Sequence, residues 1–165
     1  MNNDMCVPCD GGILNIRAGA IIMKGDKILM VGNEKTDYLY SVGGRIKFGE
    51  TAEEAIVREV FEETGVKMEI DRLGFVHETY FYGDSPSNLG KLIYEVSFYF
   101  YMKTPADFLP ACDSFTEGNS CEILKWVSLD DDIKMYPEFF RAELKVSTDS
   151  VKHFINDDRK RNDNA

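Results

Sequence analysis

Apolar positions recur along this chain in two rhythms. From 13 to 23 the run ILNIRAGAIIM predicts a strand, Lys24-Gly25-Asp26 predicts a hairpin turn, and KILMVG at 27–32 predicts the returning strand. A short strand is expected at 38–42, leading into a loop at Gly43-Gly44. The period then changes to 3.6. Ile56, Val57, Val60, Phe61 and Thr64 fall on one arc of a helix. Thr51 opens it with Glu54 three residues on, a capping-box arrangement, and Gly65 closes it where a left-handed residue is commonly needed.

Two stretches rich in aromatic and β-branched residues, 67–82 and 91–103, predict further strands around the loop GDSPSNLG. A long loop covers 105–120, and CEILKWVSL at 121–129 alternates as a strand does. Pro137 opens a helix expected through Val146, and a second helix is expected over 148–156. No internal repeat is visible. These elements make one domain at 13–156, preceded by a flexible segment at 1–12. A tail follows at 157–165, where mixed charge without an apolar run predicts disorder.

Composition narrows the function. A chain of 165 residues with 44% hydrophobic content suits a single core. The first residues lack the basic and apolar runs of a secretion signal, and no stretch reaches the ~20 apolar residues of a membrane span. A cytoplasmic location is therefore expected. The net charge of −10 opposes binding to long nucleic acid, which needs clustered Lys and Arg. A small anionic substrate remains compatible, because local groups set the field it meets. Arg17, Arg45, Lys47 and Lys91 are available for that, with Arg45 singled out by its place beside the glycine pair.

Cys6 and Cys9 form a C-x-x-C, but Cys112 and Cys121 are too far apart to supply the second knuckle of a zinc site, so reduced thiols are expected. His77 is placed in or beside the sheet and His153 on a surface helix, and neither is assigned chemistry.

The chemistry lies beside the apolar arc of the first helix. There Glu59, Glu62 and Glu63 share one side. Unrelieved, like charges at i,i+3 and i,i+4 cost an exposed helix roughly 0.2–0.5 kcal/mol per pair. Carboxylates without His or Cys favour magnesium, manganese or calcium, and magnesium takes one or two carboxylates plus substrate phosphates. The competing reading is a solvated acidic face.

What separates the two readings is the surrounding sequence. GRIKFGETAEEAIVREVFEETGV, from Gly44 to Val66, resembles the Nudix box, matching it at Gly44, Glu50, Arg58, Glu59, Val60, Glu62, Glu63, Gly65 and Val66. The resemblance implies an α/β fold, an α/β/α sandwich with a mixed β-sheet. It implies metal-dependent hydrolysis, with Mg2+ or Mn2+, of the pyrophosphate linkage in a nucleoside diphosphate derivative or a nucleoside triphosphate. By similarity Glu59, Glu62 and Glu63 are metal ligands or metal-linked bases, the Gly44 carbonyl is a further ligand, and Arg58 orients a glutamate. Helix geometry places Arg58 to pair with Glu62 rather than Glu59. Glu50 is divided evenly between capping the helix N-terminus and binding metal.

Family members often recruit another acid from a distant loop. Glu117 is preferred over Glu122 for that role, and neither is the standing alternative. The proline associated with ADP-ribose hydrolysis is missing downstream of the box, and no coenzyme A signature precedes it. Tyr80 and Tyr82 lie where dinucleoside polyphosphate hydrolases carry a tyrosine and are candidates for stacking on a base, with core packing as the alternative. A dinucleoside polyphosphate hydrolase and a non-catalytic nucleotide-binding module remain as alternatives. The absence of G-x-x-x-x-G-K-[ST] argues against a P-loop enzyme. A homodimer is expected from the base rate.

Overall fold

The computed structural model describes residues 3–33, 36–109, 114–115 and 121–159, with the side chains of 114, 115 and 121 excepted. In chain order its elements are β1 (Cys6–Cys9), β2 (Gly12–Ile21), β3 (Met23–Lys24), β4 (Lys27–Asn33), β5 (Leu39–Ser41), β6 (Gly43–Arg45), α1 (Ala52–Thr64) and β7 (Ile70–Tyr82). Then follow β8 (Leu92–Met102), β9 (Ser114–Phe115), β10 (Cys121–Ser128), β11 (Met135–Tyr136), α2 (Phe140–Glu143) and β12 (Lys152–Asp157).

These strands form two mixed sheets. The first runs β1-β2-β8-β7-β12, with β6 beside β2, and the second runs β11-β5-β4-β10-β9, with β3 beside β4. In the first sheet β2 is parallel to β8 and β12 is parallel to β7, while β7 and β8 are antiparallel. The chain changes sheets four times, from β2 to β3, β5 to β6, β8 to β9 and β11 to β12. It leaves β2 for β3 through Ile22, and leaves β5 for β6 at Val42, whose carbonyl accepts from the Ala20 amide at 2.8 Å.

Alternation along β2 and β4 divides the core in two. Ala18, Ala20, Leu29 and Val31 face one side with Ala55, Ile56 and Val60 of α1. Ile21, Ile28 and Met30 face the other with Phe75, Tyr99 and Phe140. Strands buried on both faces, covered by helical structure on each, make this an α/β fold with mixed sheets.

The helix ends follow the local signals. Thr51 accepts from the Glu54 amide while Glu54 accepts from the Thr51 amide, and Gly65 takes φ 74° with its amide on the Phe61 carbonyl. Other expectations need correction. The glycine pair expected in a loop forms β6, because Gly43, Gly44 and Arg45 pair with Gly19, Ala18 and Arg17. The helix expected at 137–146 is one turn, α2, in which Phe140 is buried. The helix expected at 148–156 is instead strand β12. Its side chains alternate in burial over 152–155, and it gains a full parallel ladder against β7. His153 therefore sits on a strand.

Residues 6–9, expected within a flexible segment, pair with 15–12 in a hairpin. Cys6 and Cys9 are free thiols, and three residues apart on a strand they face opposite sides of the sheet.

Candidate active site

The site forms where β6 passes beneath α1. Gly43 has φ 140°, in the region that favours glycine, and a Cβ there would collide with the Ala18 carbonyl of the paired strand. At Gly44 a Cβ would stand 2.5 Å from the Glu59 carboxylate. Glycine here thus lets a helix carboxylate rest directly on the backbone of β6.

Arg58 organises the remaining charges. Its Nε donates to Glu50 Oε1 at 2.6 Å and its Nη2 to Glu50 Oε2 at 2.9 Å. Nη1 donates to Glu59 at 2.6 Å and to Glu62 at 3.2 Å, and Nη2 also reaches the Arg45 carbonyl at 3.2 Å. Pairing with Glu62 rather than Glu59 is therefore corrected, since Arg58 holds both. Five donors on a planar fork serve neighbours that a single point charge could not. Glu50 does not cap the helix, which Thr51 does. It accepts instead from the Lys47 amide and from Arg58, and Arg58 above all holds its carboxyl down at about 2.

Glu62 lies outward, with half its side chain exposed. Glu63 lies inward. Its Oε1 accepts from the Gly43 amide at 3.3 Å, and its Oε2 is buried without a partner. Burial first, then the nearby Glu122, pushes the Glu63 carboxyl up to about 8. Glu59 is also shifted upward by burial, which outweighs Arg58. The three glutamates on one helix side thus occupy three environments.

Glu122, ranked behind Glu117 as the extra acid, is a neighbour of Glu63 among the described residues. It is the second residue of β10, opposite Asn33, and accepts from the Tyr40 hydroxyl at 2.9 Å. No local signal marks it, since the fold alone carries β10 alongside β4 and so toward Glu63. Glu117 lies outside the described residues.

A cleft of about 740 Å³ opens beside this constellation. Arg17, Tyr40 and Arg45 line its near end, and Tyr82 also lines it. Arg17 donates to the Gly43 carbonyl at 3.3 Å. Its charge is favoured because Glu95, Tyr99, Glu63 and Glu59 outweigh the cost of burying it. Tyr80 does not line the cleft. Its ring stacks on Tyr94 with centroids 4.5 Å apart, because successive residues of β7 face opposite sides and the cleft lies on the His77 and Thr79 side.

Among the described residues no three acidic, His or Cys side chains converge into a ready-made metal cage. Arg58 accounts for that, standing among Glu50, Glu59 and Glu62. The site nevertheless fits a hard cation. Glu59 and Glu63 meet the β6 backbone from one helix, all donors are oxygens, and a buried Glu63 oxygen lacks a partner. Two carboxylates plus substrate phosphates are what magnesium typically takes.

Comparison with known proteins bears on the family and the fold. The sequence model of the NUDIX domain matches residues 14–144. The MutT NUDIX hydrolase of Burkholderia pseudomallei superposes with a TM-score of 0.59 at 22% identity, over 82% of this chain and 98% of that one. The Mutator MutT protein of Bacillus halodurans gives 0.61 at 19%, over 86% and 90%. An ADP-ribose pyrophosphatase of Streptococcus suis gives 0.55 at 20%, over 85% and 98%. At these identities the likeness shows a shared fold. A search of curated proteins gave no match.

Proposed function

The chain belongs to the Nudix hydrolase family, and on that premise we propose that it is a metal-dependent pyrophosphohydrolase cleaving the diphosphate linkage of a small nucleotide by water attack at phosphorus. One observation carries this reading: Glu59 and Glu63 reach the Gly43-Gly44 backbone beside a cleft whose near end holds Arg17 and Arg45.

Glu59, Glu63 and the Gly44 carbonyl would hold Mg2+ or Mn2+. Glu62 is next in reach and Glu122 flanks them. When bound, such an ion supplies charge neutralisation of the diphosphate and activation of the attacking water. The protein's own groups do the rest. Arg58 keeps the Glu59 carboxylate oriented by its 2.6 Å hydrogen bond and is itself anchored on Glu50. Without metal, burial above all holds the Glu63 carboxyl up at about 8, and that proton would give way to a cation bound at its Oε2. Arg17 faces the path of a phosphate entering from the cleft. Arg45 stands across from it in the β2–β6 pair and offers a second cation.

The test is a hydrolysis screen of nucleoside triphosphates, nucleotide sugars, dinucleoside polyphosphates and dinucleotides with magnesium or manganese, run beside Glu63→Gln. Turnover that disappears with chelator and in the variant supports the proposal. Nucleotide binding without turnover on any compound would overturn it in favour of a non-catalytic binding module.

A further inference from the structure

Beyond Arg17, away from the glutamates, the cleft floor is one face of the first sheet. Side chains lie there in rows across four strands, as the registers dictate. Asn15, Glu95, Thr79 and Asn156 form the outer row, and Arg17, Ser97 and His77 lie in the row nearer the glutamates. All seven line the cleft. Polar groups at sheet centre are costly unless partnered. Asn15 and Ser97 are almost fully buried, at 4% and 2% exposure, and the Glu95 side chain is only 12% exposed.

Their hydrogen bonding is incomplete on one side only. Asn15 Nδ2 donates to Glu95 at 3.5 Å, Ser97 donates to Glu95 at 3.3 Å, and Arg17 stands 3.9 Å from it. A carboxylate with about four acceptor positions normally draws charged or amide donors to 2.7–2.9 Å. Asn15 Oδ1 is buried with no donor at all. Reversing that amide would set its oxygen against the Glu95 carboxylate, so the carboxylate fixes the orientation. The floor therefore holds one acceptor with no donor, Asn15 Oδ1, beside a Glu95 carboxylate whose three donors all stand at 3.3 Å or more. His77, kept neutral by burial, adds no cation.

We infer that Asn15 and Glu95 form a base-reading subsite that takes the paired N–H donors of guanine, N1–H and the 2-amino group. This rests on the cleft being the nucleotide site. Adenine and cytosine each set an acceptor beside their amino donor, and uracil flanks its single N–H with two carbonyls. Each would place an acceptor against the pair. The position suits a nucleoside. Gly19 is opposite Gly43, and Asn15 lies four residues back along β2, roughly 13 Å at the usual rise per residue. The base would lie on the floor and the phosphates at Arg17 and the glutamates. Tyr38, Phe81 and Tyr136 line the same cleft and supply aromatic walls against which a planar ring packs.

Titration calorimetry with GMP, IMP, AMP, UMP and dGMP, in chelator, tests this without any turnover. GMP is expected to bind ~10-fold or more tightly than AMP or UMP, with IMP, which lacks the 2-amino group, in between. dGMP is expected to match GMP. Glu95→Gln, with its melting curve checked, is expected to bring GMP and AMP together. Equal binding of GMP and AMP would overturn the inference, as would loss of affinity for dGMP, which would give the donors to the ribose hydroxyls, or no binding of any of the five. Because hydrolysis is not measured, failure here leaves the pyrophosphohydrolase proposal standing, and guanine selectivity without turnover would sink that proposal and not this one.

Discussion

Arg58 grips Glu50 at two points, Nε to Oε1 at 2.6 Å and Nη2 to Oε2 at 2.9 Å, and so ties the middle of α1 to the segment preceding its first turn. The remaining guanidinium hydrogens then fall on Glu59, Glu62 and the Arg45 carbonyl. A residue of the helix face is thereby anchored outside the helix. The position of the Glu59 carboxylate follows from that anchor.

Arg58→Lys keeps the charge and removes the fork. It is expected to lose about 2 kcal/mol of stability, lowering the melting temperature by roughly 4–8 °C for a chain of this size. Hydrolysis should fall more than the residual folded fraction explains, since Glu59 is no longer oriented. Calorimetric melting beside a steady-state assay checks both.

Glu50 sets an acid limit. Its carboxyl titrates at about 2 in the fold against 4.5 as a free side chain. Its stabilisation is therefore fully present above pH ~4.5 and is lost as pH falls toward 2, about 3 kcal/mol at most. Glu50→Gln should lower stability at pH 7 and flatten the decline between pH 4.5 and 2. Denaturant unfolding across that range measures it.

Gly44→Ala puts a methyl carbon where the Glu59 carboxylate rests. The side chain must move off the β6 backbone, so turnover is expected to drop by ~100-fold or more, comparable to losing one transition-state contact, while far-UV circular dichroism stays unchanged. Unchanged turnover would mean that Glu59 need not touch this backbone.

Glu63→Gln removes an ionisable group that burial disfavours when charged. The wild-type carboxyl is raised to about 8, so its contribution to stability is fully present below pH ~4.5 and declines as pH rises through 8. At pH 8.5 and without metal, the variant is expected to melt at or above the wild type. It should also be inactive and lose the magnesium-dependent rise in melting temperature. In the wild type that rise should grow from pH 6 to pH 8.5, because metal and proton compete for one oxygen. Thermal shift with and without magnesium at both pH values decides it.

Helix α1 was fully legible in the sequence because its signals are local. Thr51, Glu54 and Gly65 act within a turn of the residues they cap, and the stretch Arg58 to Glu63 of the box motif lies inside the same helix. Strand β12 was not legible, since KHFIND carries little apolar content and becomes a strand only by pairing with β7. Glu122 was ranked behind Glu117 for a similar reason: no nearby residue says that β10 brings it toward Glu63. Tyr80 and Tyr82 share a face of β7, yet Tyr82 at the strand's end lines the cleft while Tyr80 stacks on Tyr94.

By itself the sequence determined the family, the boundaries of α1 and the three glutamates on one of its sides, because spacing along a helix is set by bonds between neighbouring residues. Only the tertiary structure decided that these glutamates differ, Glu59 held by Arg58, Glu62 turned outward and Glu63 buried on Gly43. It also decided that Asn15 meets Glu95 across 80 residues of chain. Burial and strand register are properties of the packed sheets, and no short stretch of residues carries them.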